Sequence, residues 1–227
     1  MNNNRKIALK ILALAATLLV GGSALAQSAK QMSFALGFRE IKFKVKSGFL
    51  TAPTAPGVQN DVRPDTQPNL TINYMLTDNI GFEGYLAPAY KHDISGAGSI
   101  QGTGKLASIE SLPATAVLQY RFFTPTTKMR PFVGIGVTYG YVPKERGSPQ
   151  LTAISNTGSP TPTTFKVENN FGSYFQVGTR YSVNDTWFVT ADLTKSYIKN
   201  TTFFSTGNTI DLKLDPVSYS LSVGRHF

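Results

Sequence analysis

The chain has 227 residues, no cysteine, and 22 Lys and Arg against 13 Asp and Glu. Without cysteine it can build neither a disulfide framework nor a thiolate metal site. Its basic excess is spread along the chain rather than clustered among aromatics on one element, which argues against nucleic acid as a partner.

The first residues set the compartment. Arg5, Lys6 and Lys10 precede the apolar run Ile11 to Val20, and then come Gly21, Gly22, Ser23 and the small-residue site Ala24-Leu25-Ala26. This reads as a secretory signal peptide, residues 1–26, cut after Ala26. The remaining 27–227 carry 19 basic and 13 acidic residues, a net +6, and read as one domain. No later stretch approaches the roughly 20 apolar residues that a spanning helix needs. Instead 15 Phe and 10 Tyr recur, many of them at alternate positions, the pattern of strands that face lipid with every second residue.

Eight such strands are expected. In the first, Phe34, Leu36 and Phe38 alternate with Ser33, Ala35, Gly37 and Arg39. Lys44 to Pro68 is rich in proline and is expected to be a long loop. The second strand sets Leu70, Ile72, Tyr74 and Leu76 against Asn69, Thr71, Asn73 and Met75, and Thr77-Asp78-Asn79 forms a tight turn. The third places Ile80, Phe82, Leu86 and Tyr90 on one face, and Ser95 to Lys105 is a flexible loop. Leu112 to Phe122 is the fourth, followed by the short turn Thr124 to Met129. The fifth, Phe132 to Val142, opposes an apolar row to Gly134, Gly136, Thr138 and Gly140, and Pro143 to Lys166 forms a loop with room for a short helix. The sixth spans Asn170 to Tyr181, and after the turn Val183-Asn184-Asp185 the seventh spans Trp187 to Tyr197. Beyond the loop Thr201 to Asn208, Val217, Tyr219, Leu221 and Val223 alternate with Ser218, Ser220, Ser222 and Gly224.

Three short turns on one rim and four long loops on the other describe an all-β fold: an eight-stranded antiparallel transmembrane β-barrel with periplasmic short turns, long extracellular loops and both termini periplasmic. Aromatic girdles are expected, with Tyr74, Tyr120, Phe122, Tyr181 and Trp187 at the inner rim and Tyr90, Tyr139, Tyr141 and Tyr197 at the outer. Arg39, Glu83, Arg121, Arg180 and Asp192 share the polar parity. They are expected to face the lumen, with ion pairs among Glu83, Arg121 and Arg180 plugging its periplasmic half. Pro88 and Pro113 are expected to oppose each other and, lacking amide hydrogens, to weaken the seam between the third and fourth strands. Phe227 is an aromatic terminal residue of the kind that the outer-membrane assembly machinery takes as a signal.

Tyr74-Met75-Leu76-Thr77-Asp78-Asn79-Ile80-Gly81, Ser111-Leu112-Pro113, Arg130-Pro131-Phe132-Val133-Gly134-Ile135-Gly136 and Leu212-Lys213-Leu214-Asp215-Pro216 stand in this order over most of the mature chain. As a set they resemble the OmpW/AlkL family of small outer-membrane proteins. The ending Arg225-His226-Phe227 departs from the aromatic-x-aromatic end of many outer-membrane strands. The resemblance implies a narrow, largely hydrophobic channel for small apolar molecules in the Gram-negative outer membrane.

An eight-stranded barrel is too narrow for a wide aqueous pore. The expectation is therefore uptake of small hydrophobic solutes with release sideways into the bilayer lipid through the Pro88/Pro113 seam. The alternative is a closed structural barrel whose loops act as a binding or receptor surface. No enzyme is expected: His92, Asp93 and Ser95 are neighbours in sequence, whereas a triad must converge in space. Two His and no ligand-spaced cluster give no metal site, and no cofactor is implied. Oligomeric state is not legible.

Overall fold

The structure, a computed structural model, describes residues 28–43, 46–51, 57–156 and 158–227. The expected signal peptide, residues 1–26, lies outside the described residues. The described chain is nearly all strand: β1 (Met32–Lys42), β2 (Lys46–Ser47), β3 (Val58–Val62), β4 (Asp65–Met75), β5 (Ile80–Leu86), β6 (Tyr90–Gly98), β7 (Lys105–Arg121), β8 (Met129–Gly147), helix α1 (Pro149–Ser155), β9 (Phe165–Val167), β10 (Asn170–Ser182), β11 (Trp187–Tyr197), β12 (Lys199–Phe204), β13 (Thr209–Lys213) and β14 (Val217–His226).

Eight of these are staves of a closed antiparallel barrel. Going round, β4, β1, β14, β11, β10, β8, β7 and β5 each pair with the next, and β5 returns to β4. Closure leaves no edge strand, so the backbone polar groups of the staves are paired without water, as hydrocarbon requires. The period-2 pattern sets the sidedness: Phe38, Ile135 and Leu221 are 65 %, 58 % and 62 % exposed on the outside, whereas Arg39, Gly136 and Ser220 on the opposite parity turn inward.

The bare inner positions are filled from neighbouring strands. Phe132 lies over Gly178 and Phe188 over Gly224, their register partners on adjacent staves. A Cβ at Gly178 would come within 2.4 Å of the Phe132 ring and one at Gly224 within 2.2 Å of the Phe188 ring. Glycine is thus what lets a large ring lie flat against the wall of a narrow lumen.

The three short turns hold their expected places. Thr77 Oγ1 accepts from the Asn79 and Ile80 amides, and Asn184 Oδ1 accepts from those of Thr186 and Trp187.

The long connections differ from expectation. Within Lys44 to Pro68, β3 pairs with β6 and the lower part of the segment is already β4, with Pro68 paired opposite Phe38. The expected loops at Ser95–Lys105 and Thr201–Asn208 are largely hairpins, β6–β7 and β12–β13. The helix is α1, capped by the Ser148 side chain accepting from the Leu151 amide, with a proline opening its first turn. A four-stranded sheet, β2-β13-β12-β9, completes an extracellular crown. The crown has its own apolar clusters, one around Val62, Ile94, Ile109, Val142 and Val167, the other around Val58, Ile210 and Leu212. None of the crown strands β2, β3, β9, β12 and β13 contains a proline.

Tyr90 also departs from expectation. Placed by parity in the outer girdle, it is instead buried, because Ala87, Pro88 and Ala89 break the strand between β5 and β6 and reverse the parity beyond. Elsewhere on the outer rim Phe171, which is exposed, packs on Tyr139 with ring centroids 4.7 Å apart.

Candidate functional site

A cavity of about 110 Å³ occupies the outer half of the lumen. Its upper wall is apolar, from Ile41, Phe43, Ile109, Val142, Val167, Ile198 and Leu214, and its floor is made by Arg39, Tyr85 and Tyr174. A second cavity of about 30 Å³ in the crown shares Ile109, Val167 and Leu214 with the first. These three apolar side chains form the partition between the two cavities.

The floor is a buried ion pair. Arg39 Nη2 donates to Asp192 Oδ1 at 3.0 Å, to Oδ2 at 3.3 Å and to Ser220 Oγ at 3.2 Å, and Nη1 donates to Tyr174 OH at 3.3 Å. Ser220 Oγ also donates to Asp192 Oδ2. The guanidinium lies 4.3 Å from the centre of the Tyr85 ring. Alternation brings these groups inward, and register stacks them: Arg39 is paired with Ser220, and Ser220 with Asp192, across three neighbouring strands.

Below this floor, the ion pairs expected among Glu83, Arg121 and Arg180 are not formed. Glu83 Oε1 accepts from Tyr85 OH at 2.5 Å and from Gln176 Nε2 at 2.9 Å. Gln119 Nε2 donates to Gln176 Oε1 at 3.1 Å, and Arg121 Nε donates to Gln119 Oε1 at 2.8 Å. A relay of two glutamines thus separates the carboxylate from the arginine, since Glu83 and Arg121 stand at different heights of the barrel. Arg180 Nη1 reaches Ser33 Oγ at 3.1 Å, its guanidinium 3.9 Å from the centre of the Phe188 ring. The five expected lumen residues therefore form two groups, Arg39 with Asp192 above, and Glu83, Arg121 and Arg180 below.

The strand ladder is interrupted where the cavity meets the wall. β5 pairs with β7 up to Tyr85↔Thr115 and β6 resumes at Tyr90↔Ser111. Between them no ladder pair joins 86–89 to 112–114, and on the other side β4 and β5 part after Leu70↔Leu86. Pro88 stands in this unpaired stretch. Pro113 lies on β7 between the last β5 partner, Thr115, and the first β6 partner, Ser111, and pairs on its far side with Gly140 of β8. A β-bulge at Ser111 disturbs the β7–β8 ladder at the same height. Ala87, Tyr90, Ser111 and Pro113 all line the cavity.

His92 lies just above, fully buried, with Nδ1 3.0 Å from the Arg63 carbonyl oxygen and Nε2 3.2 Å from Ser111 Oγ. Neither Asp93 nor Ser95 is its hydrogen-bond partner. Among the described residues no group of three or more His, Asp or Glu could hold a metal ion. Parity places Gln176 inward, as found, whereas Tyr85, Tyr174, Gln119, Phe188 and His226 were overlooked as lumen groups. The signal was there, since each falls on the inward row of its strand beside the residues that parity did pick out. Phe227 packs edge-on against Phe34, centroids 5.5 Å apart, with Arg225 5.1 Å over its ring.

Comparison with known proteins agrees with this architecture. The OmpW family model matches residues 34–227. The chain belongs to the OmpW family. It is 31 % identical over 222 residues to outer membrane protein W of Salmonella typhi, covering 96 % of this chain and 98 % of that one. Its fold is similar to the crystal structure of the outer membrane protein OprG from Pseudomonas aeruginosa, with a TM-score of 0.80, 25 % identity, and 90 % and 99 % of the two chains covered. It is also similar in fold to the solid-state NMR structure of outer membrane protein AlkL in lipid bilayers, with a TM-score of 0.67, 19 % identity, and 92 % and 95 % covered. This OmpW-family chain is an outer-membrane barrel of the Gram-negative type, and its relatives are outer-membrane barrel proteins.

Proposed function

We propose that this OmpW-family barrel assists small hydrophobic molecules across the outer membrane, taking them in between the outer loops and releasing them sideways into the bilayer. The observation that carries the reading is that the apolar cavity ends against the unpaired stretch 87–89, which contains Pro88, with Ala87 and Pro113 in the cavity wall. An apolar solute gains by leaving water for such a cavity. Straight descent would take it past the buried charges of Arg39, Asp192, Glu83, Arg121 and Arg180, where it offers no hydrogen bonds in return. Parting 86–89 from 112–114 breaks no ladder hydrogen bond, so the sideways route is the lower barrier. The barrel acts on its solute by partition and needs no chemistry. The assembly machinery recognises its last strand, closed by Phe227.

The test is the initial rate at which intact cells, with and without the protein at matched surface level, take up a labelled medium-chain alkane or ester and, in parallel, a small sugar. Acceleration of the apolar compound alone is expected. Equal rates for both would overturn the reading in favour of a closed barrel with a loop-borne function.

A further inference from the structure

The cavity in the outer lumen is apolar over most of its wall but not at one corner. Ser196 on β11 and Ser218 on β14 turn inward on neighbouring staves, 6 % and 8 % exposed, and both line the cavity. Among the described residues neither hydroxyl has a hydrogen-bond partner, and neither is sealed off from the cavity. The register fixes where they lie. Ser196 is paired with Tyr174 of β10, whose hydroxyl accepts from Arg39, and Ser218 is paired with Ile41 of β1. The Ser196 amide donates to the carbonyl oxygen of Pro216, two residues before Ser218, so the two serines are diagonal neighbours on the inner face. Two open hydroxyls therefore stand together where the wall meets the Arg39 floor.

An alkane lying against these hydroxyls takes their water away and offers nothing in its place. A solute that carries an oxygen at its end supplies the missing partner. The charges at the floor select the kind of oxygen. Among the described residues Arg39 is the one charged group in the cavity wall, and Asp192 already holds it. A carboxylate head would be buried there without a counter-charge of its own. A neutral hydroxyl donates and accepts at once, as each serine does. Size sets the length: a cavity of about 110 Å³ is somewhat smaller than an engineered one of roughly 150 Å³ that takes benzene, which suits a chain of about six carbons.

Taking the proposed uptake route as given, we infer that the cavity selects short primary alcohols over alkanes and carboxylates of the same length. Ser196 and Ser218 hold the hydroxyl head, and Ile41, Val142 and Ile198 hold the apolar tail. Both serines sit at the floor, so the solute lies head down, with its tail along the apolar wall above.

Three compounds of equal carbon number, 1-hexanol, hexane and hexanoate, are given to intact cells with and without the protein at matched surface level. The protein-dependent part of the initial uptake rate is read. Hexanol is expected to exceed hexane roughly fivefold, about the worth of one neutral hydrogen bond, and hexanoate to gain nothing. Ser196→Ala combined with Ser218→Ala is expected to erase the ratio of hexanol to hexane. Equal gains for hexanol and hexane in the wild type would overturn the selection and leave the uptake route standing. No gain for any of the three would remove the route itself and the selection with it. A hexanol-to-hexane ratio unchanged in the folded double variant would also overturn the selection. Should the double variant fail to fold, solid-state NMR of the wild-type barrel in bilayers, with hexanol labelled at its hydroxyl-bearing carbon, decides. Contact of that carbon with the Ser196 and Ser218 side chains supports the site, and contact only with lipid or with other residues overturns it.

Discussion

At Arg39 and Asp192 a buried pair has an asymmetric energetic meaning. Each is held by the other, so removing one strands the second charge away from water. Arg39→Met is expected to destabilise the barrel by roughly 3–5 kcal/mol, and adding Asp192→Leu is expected to recover most of that loss. Urea unfolding of the folded barrels in micelles checks both. His92 gives a residue-level effect of a different kind. Lys91 and Asp93 flank it on the outer face, so this length of β6 stands clear of the hydrocarbon. Burial pushes the His92 imidazole below its ordinary value, against the opposing effect of its hydrogen bond to the Arg63 carbonyl. The unfolded form therefore takes up a proton first, and stability that is full above about pH 6.5 falls as the pH drops toward the lower folded value. Amide exchange in β6 is expected to quicken in mild acid, and His92→Phe to remove that dependence.

Among the strands, the proposed seam rests on a break at 87–89 that contains Pro88 and on Pro113 of the neighbouring β7. Pro88→Val with Pro113→Thr restores two amide hydrogens and is expected to slow uptake of an apolar solute several-fold without lowering the amount of folded barrel. Unchanged uptake in the folded double variant would count against the lateral route. The glycine row on β8 marks the opposite case, where the strand has no room to change. A Cβ at Gly136 would fall 2.1 Å from the Ala116 carbonyl oxygen, an atom of the β7 backbone that cannot move without parting the ladder. Gly136→Val is expected to lose folded barrel, measured as heat-modifiable protein in the outer membrane.

For the molecule as a whole, cavity and crown act together. Val142 lies between the crown cluster and the lumen cavity and lines the latter. Val142→Trp is expected to fill the cavity and reduce apolar uptake to the level of cells without the protein, with assembly retained. Small sugars should be unaffected, which separates a blocked apolar path from a general change in the membrane.

What the sequence by itself determined is the barrel: which residues face lipid and which face inward follows from parity alone. Phe38 and Leu221 lie outside and Arg39 and Ser220 inside because each strand must satisfy apolar surroundings on one face and polar ones on the other. The short turns were legible for the same kind of local reason, since Asn and Thr side chains there bond their own neighbours' amides. Only the tertiary structure decided the rest. Parity says that Glu83 and Arg121 share the lumen, but their heights depend on the stagger between strands, and that stagger puts two glutamines between them. Tyr90 turned inward because a break of three residues reset the alternation, which no period-2 count can carry across. The crown was not legible because its strands pair with partners far along the chain, β2 with β13 and β3 with β6, and a local alternation cannot name such partners.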